Sequence, residues 1–233
     1  PELPPTPVKN DHPEGETENH SRVHLQSTPT MNFENPEVQV FLKNVNIGAN
    51  SRENVVRLYY AVRDSIRYDP YTIELSVEGL RASTTIMAGR GWCVSKAILL
   101  SALCRAVGIP ARLGFADVRN HLSTERMRKL MQSDVFVWHG YSSILLDQKW
   151  IKATPAFNLE LCQRFGLKSL EFDGTEDSIY HPFDLEGRRH MEYLTLRGEF
   201  TDVPIAEIDE SFRIEYKLSS SRNRADFEEE VKQ

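Results

Sequence analysis

The chain has 233 residues and a net charge of −6; 40% of the residues are hydrophobic and 27% charged. That length fits one large domain or a small pair, and that apolar share excludes a wholly disordered chain. No run approaches 18 apolar residues, so no membrane-spanning helix is expected, and a pI near 5.7 argues against nucleic acid as the partner. The opening residues lack a signal-peptide pattern, and the chain starts at Pro1 rather than Met, so upstream residues are expected. Three cysteines cannot build a disulfide framework and suit a reducing, cytoplasmic setting.

Residues 1–30 hold six prolines, four hydrophobic residues, and five acids against two bases. Such a stretch cannot bury enough surface to fold alone and reads as an extended arm, packed on its own domain or a neighbouring chain. Asn35 caps a short helix with Pro36 at its first position. Ser51 is expected to cap the next, whose Val55, Leu58, Tyr59, Val62 and Ile66 share one face, with the pattern ending near Tyr68. Residues 71–91 read as irregular. From Cys93 to Val107 the chain is apolar nearly all round, which predicts a buried helix stopped by Gly108 and Pro110.

Ala111 to Val118 reads as a strand, and 123–132 as a short basic helix whose Arg126, Arg128 and Lys129 form a solvated face. Val135 to Leu146 and Lys149 to Ala153 read as strands joined by a tight turn at Asp147-Gln148. Asn158 can cap a helix over 159–165, closed by Gly166. The stretch 167–202 is loop-rich, and Asp202-Val203-Pro204 opens a last helix with Ile205, Ile208 and Phe212 on one side. Helices first and antiparallel strands after predict an α+β fold. The expected division is an arm over 1–30, a core over 31–166, a loop-rich extension with the last helix over 167–217, and a charged tail over 218–233.

Cys93 carries the first chemical signal. It opens a helix, where free N–H groups and the helix dipole lower a thiol pKa and can hold an oxyanion. Cys104 lies 11 residues on, about 16 Å along a helix rising roughly 1.5 Å per residue, too far for a disulfide. Cys104 and Cys162 read as core. A nucleophilic thiol needs a base. His12, His20 and His24 fall in the arm and His121 in a polar turn, whereas His139 stands within strand-type residues. A lone strand histidine is more often structural, but its pairing with Cys93 favours a chemical role.

The run from Gly91 to Arg112 resembles the core motif of the transglutaminase-like superfamily: a cysteine opening a helix, then Arg-x-x-Gly-Ile-Pro-Ala-Arg leading into a strand. Cys93, Ala97, Leu99, Ala102, Leu103, Arg105, Gly108, Ile109, Pro110, Ala111 and Arg112 match it. His139 in a strand, a hairpin at 147–149, and Trp150 fit the second block of that pattern. The resemblance covers about residues 45–160. The runs 150–158, 181–184 and 186–193 are similar to a mostly bacterial, poorly characterised branch.

The resemblance implies a papain-like fold with the nucleophile helix packed on an antiparallel sheet. It further implies Cys93 as nucleophile toward an amide or thioester carbonyl and His139 as general base and acid. The family's orienting aspartate is replaced by Thr154, which can accept the imidazole N–H but carries no charge. Asn158 is the other candidate for orienting His139, and Asp147 sits in the hairpin turn, away from it. Trp92, Trp138, His181, Arg188 and Arg189 are candidate substrate contacts, with residues 171–202 read either as a lid or as a salt-bridged loop. Arg105 and Arg112 read as structural ion pairs. No cofactor or metal is expected, since calcium-loop, CxxC and HExxH patterns are absent.

The expected reaction is hydrolysis of a peptide, amide or thioester, ahead of transfer to an amine. Acyl transfer from a carrier-bound thioester in natural-product biosynthesis is an alternative, and a catalytically weak binding module is another.

Overall fold

The computed structural model describes residues 22–120, 133–180, 184–188 and 190–216. Its elements run α1 (Pro36–Lys43), α2 (Ser51–Ser65), β1 (Arg67–Tyr68), α3 (Val77–Leu80), α4 (Ala82–Ala88), β2 (Arg90–Gly91) and α5 (Cys93–Ala106). They continue with β3 (Ala111–Asn120), β4 (Val135–Leu146), β5 (Lys149–Ala153), α6 (Leu159–Phe165), β6 (Met191–Phe200) and α7 (Ile205–Tyr216). Four strands form an antiparallel sheet in the order β5-β4-β3-β6, and β1 and β2 make a small parallel pair. The α+β fold is as expected.

α5 is the centre of the core. Every residue from Cys93 to Arg105 is buried. It lies against β3 and β4 on one side and against α2 and α4 on the other. A helix wrapped on all sides cannot carry a polar stripe, which explains why its sequence lacks one. Its two charged side chains are satisfied by carbonyls. Lys96 Nζ donates to Arg63 O at 2.9 Å and to Ile66 O, capping the C-terminal end of α2. Arg105 donates to Ala111 O at 2.8 Å and to Gln26 O and Thr201 O at 2.7 Å. Arg105 thus bonds backbone oxygens where an ion pair was expected. Arg112 does form its ion pair, with Glu199, and its guanidinium stacks 3.9 Å from the centre of the Trp150 ring. Cys104 and Cys162 are buried, as read.

The β4–β5 hairpin turns at Asp147 and Gln148, both with positive φ (48° and 63°), as a two-residue hairpin of this hand requires. Asp147 is exposed there and pairs with Arg52.

Three expectations need correction. Residues 71–91 are not irregular throughout: they fold into α3 and α4, the first capped by Ser76, whose Oγ accepts the Gly79 N–H at 3.0 Å. The stretch 167–202 contains β6, a ten-residue strand paired along β3. The cap of α2 is Asn50, whose Oδ1 accepts the Glu53 N–H at 3.1 Å, while Ser51 is the first helical residue, and the helix ends at Ser65.

The end of the proline-rich stretch packs on the domain itself. Ala111 N–H donates to His24 O at 3.0 Å, Ala82 N–H to Thr30 O at 2.9 Å, and Met31 is fully buried. His12, His20, His121, the basic run 123–132 and the tail 218–233 lie outside the described residues. Among the described residues no helix is long and apolar enough to cross a membrane.

Candidate active site

Cys93 is the first residue of α5, and His139 lies on β4, paired with Ala116 of β3. Gly140 brings these two elements together. A Cβ at Gly140 would stand 3.0 Å from both Val94 Cα and Val94 Cγ2, closer than ordinary contact allows. Only glycine lets β4 pass this near the start of α5. The sequence reading missed Gly140; its signal is a lone glycine inside a strand, which marks close backbone approach.

Cys93 and His139 line one narrow pocket of about 80 Å³. Trp92, Val118, Phe136, Val137, Phe157, Met191 and Phe212 give it apolar walls, with Tyr68, Asn120 and Tyr216 among its polar members. α7 closes one side: Phe212 meets the Trp92 ring edge-on at 6.1 Å. Tyr216 Oη accepts the Val137 N–H at 2.7 Å and donates to Val135 O at 3.3 Å.

Two opposing effects act on Cys93. The backbone N–H groups of Gly140, Val94 and Cys93 itself favour the thiolate, as a helix start should. Burial outweighs them and pushes the thiol up to about 11. The helix-start argument alone predicted a lowered pKa; enclosure reverses the sign. His139 is pushed down to about 4, chiefly by burial and secondly by the charge of His190. At neutral pH the resting site is therefore a neutral thiol beside a neutral imidazole.

His139 Nε2 is buried without a hydrogen-bond partner. The imidazole packs against the rings of Tyr180 (5.4 Å between centroids) and Tyr193 (6.3 Å). Tyr180 also contacts Phe157 and His190. Thr154 is buried and no hydrogen bond joins its Oγ1 to His139, so it does not orient the imidazole by that means; its side chain interacts instead with the Tyr193 hydroxyl. Asn158 Oδ1 accepts the Tyr68 N–H at 3.1 Å and so ties β1 to the start of α6. Packing between tyrosines, brought in by β6 and the segment before it, surrounds the histidine where an orienting side-chain acceptor was expected.

The expected substrate contacts divide. Trp92 lines the pocket. Trp138 is buried elsewhere, against Phe115 and Phe200, with its Nε1–H donating to Ser211 Oγ at 2.8 Å. Arg188 closes its own loop, donating to Asp184 Oδ2 at 2.7 Å and pairing with Glu186 at 3.1 Å. That is the salt-bridged reading for Arg188; the nearby residue that lines the pocket is Met191. His181 and Arg189 lie outside the described residues. Among the described residues no group of acidic, histidine and cysteine side chains could hold a metal ion.

A sequence profile of the transglutaminase-like superfamily matches residues 42–155, which span α2 to β5 and include Cys93, His139 and Thr154. No curated protein sequence matches the chain. Several solved structures resemble it, among them the following two. One is a candidate cysteine protease from Cytophaga hutchinsonii, at 18% identity and a TM-score of 0.47, over 60% of this chain and 43% of that one. The other is a candidate protease from Parabacteroides distasonis, at 16% identity and a TM-score of 0.36, over 57% of this chain and 26% of that one. The chain thus spans less than half the length of either. From α2 to β5, the chain is similar to the transglutaminase-like superfamily.

Proposed function

We propose that this protein is a thiol-dependent acyl-transfer enzyme with Cys93 as nucleophile and His139 as general base and acid. The observation that carries the reading is that a helix-opening cysteine and a buried histidine with an unpartnered ring nitrogen share one apolar pocket. Because both groups rest neutral, the thiol proton passes to His139 as sulfur attacks the carbonyl carbon. The tetrahedral oxyanion forms beside the N–H groups at the start of α5. His139 then protonates the leaving amine or thiol, and the acyl group stays on Cys93. Water or an amine attacks that thioester, giving its proton back to His139, and the thiol is restored.

Among the described residues no charged side chain lines the pocket, which favours an uncharged, apolar acyl group. Hydrolysis of a peptide or amide is favoured over transfer to an amine, with amide formation from a carrier thioester as a further variant.

The test is turnover of fluorogenic peptide amides differing only in the acyl-side residue, with and without hydroxylamine. Leu- or Phe-type donors should be cleaved, Asp- and Lys-type donors should not, and the hydroxamate fraction measures amine transfer. Cleavage that survives Cys93→Ala overturns the reading. The neutral resting pair and the absence of a hydrogen bond from Thr154 to His139 favour a second reading, a groove that binds without turnover. It is established if donors bind but no acyl-enzyme forms.

A further inference from the structure

The strand pairing next to His139 is irregular. Ala116 of β3 pairs with His139 of β4, but Val118 pairs with Phe136, so β4 carries one residue more than its partner here. Trp138 lies in that bulge with φ of 60°. Glycine is the usual occupant of such a left-handed position, and a bulky residue there is strained and persists only where its surroundings hold it. Strand side chains alternate between faces, so one extra residue changes the face presented by every residue beyond it. The bulge therefore sets which way His139 points.

The holding group is Asp117. Its Oδ1 accepts the Trp138 N–H at 3.1 Å, and its carboxylate takes both Nε (2.5 Å) and an NH2 group (2.9 Å) of Arg197 from β6. Arg197 in turn lies 4.8 Å from the centre of the Trp138 ring. One carboxylate thus joins β3, β4 and β6 at the bulge. Neither Asp117 nor Arg197 lines the pocket, so their packing has no direct part in holding substrate.

We propose that Asp117 is a positioning residue: by holding the Trp138 backbone and anchoring Arg197 over the indole, it locks the bulge that turns His139 into the pocket with Cys93. This rests on His139 being the base, but the orientation of His139 can be measured without any substrate. The groups around the imidazole are Tyr180, Tyr193 and His190, together with Cys93 across the pocket.

The experiment is NMR titration of the His139 side chain in the wild type, Asp117→Ala, Asp117→Asn and the double variant Asp117→Ala/Trp138→Gly. In the wild type His139 should titrate near 4. In Asp117→Ala its midpoint should rise toward the ordinary 6.5 as the ring leaves its enclosure. Asp117→Asn keeps the acceptor oxygen and should restore most of the depression. The double variant should also restore it, because glycine adopts the left-handed conformation unaided. If Asp117→Ala does not fold, Arg197→Gln gives the same reading in weaker form. A folded Asp117→Ala or Arg197→Gln protein whose His139 titrates as in the wild type overturns the proposal. Wild-type titration shifts obeying these expectations in a protein without turnover would sink the enzymatic reading and leave the positioning role standing.

Discussion

Gly140→Ala tests the joint between β4 and α5. The added methyl would meet Val94 Cα and Cγ2 at 3.0 Å, where ordinary contact begins at 3.4 Å. One neighbour is backbone of a helix buried on every side, so β4 must retreat by about 0.4 Å or more, and overpacking of this kind costs about 1–3 kcal/mol. For a domain of this size that lowers Tm by about 2–12 °C. The same retreat draws the Gly140 N–H from the Cys93 sulfur and moves His139, its neighbour. Displacements near 1 Å can cost about 100-fold in rate, so a loss of about 10-fold or more in Cys93 acylation is expected. The assay pairs thermal melts with rapid-quench acylation, using Gly108→Ala as the control. Gly108, unlike Gly140, has a positive φ (78°), and nothing lies within 4 Å of an added Cβ. It should lose about 1 kcal/mol of stability through backbone strain and keep wild-type reactivity. Wild-type stability and acylation in Gly140→Ala would refute the close approach.

Further expectations concern protons and the buried lysine. With the Cys93 thiol near 11, its alkylation by iodoacetamide should climb about tenfold per pH unit from 7 to 10, whereas a plateau above pH 7 would reveal a preformed thiolate. His139 has a folded pKa near 4 against 6.5 unfolded, so the unfolded chain binds the extra proton first. Its neutral burial is fully tolerated above pH 6.5, and stability falls by about 3 kcal/mol as pH drops through 4. Urea melts of wild type and His139→Phe should diverge in that window and run parallel above it; parallel curves throughout would contradict the burial. Lys96→Met should cost about 2 kcal/mol or more by unpairing the Arg63 and Ile66 carbonyls, and an unchanged urea midpoint would contradict that accounting.

What could be read along the chain is what local sequence controls. α5 announces itself because a helix buried on every side has no polar stripe, and Gly108 and Pro110 end it. The β4–β5 hairpin is legible because two strand-type runs flank a two-residue turn. β6 is hidden because it is an edge strand: Leu194 and Leu196 are exposed beside charged residues, so no clean alternation survives. α3 and α4 are too short, at four and seven residues, to show a helical period. In the site, the Cys93 and His139 signals are local, a helix start and a strand. The sign of the thiol shift is not, because the helix-start effect belongs to neighbouring residues whereas burial is made by β4, α7 and the pocket walls together. Tyr193 and His190 reach the neighbourhood of His139 only through the pairing of β6 on β3, which no motif encodes.

The proposed chemistry requires Cys93 to carry the acyl group. The direct measurement is rapid acid quench of the protein with a nitrophenyl ester of a short apolar acid, followed by peptide mass mapping. A burst of one nitrophenol per protein and an acyl adduct on the Cys93 peptide are expected, absent in Cys93→Ala and formed about 100-fold or more slowly in His139→Ala. An adduct spread equally over Cys93, Cys104 and Cys162, or ester turnover that persists in Cys93→Ala, would contradict it.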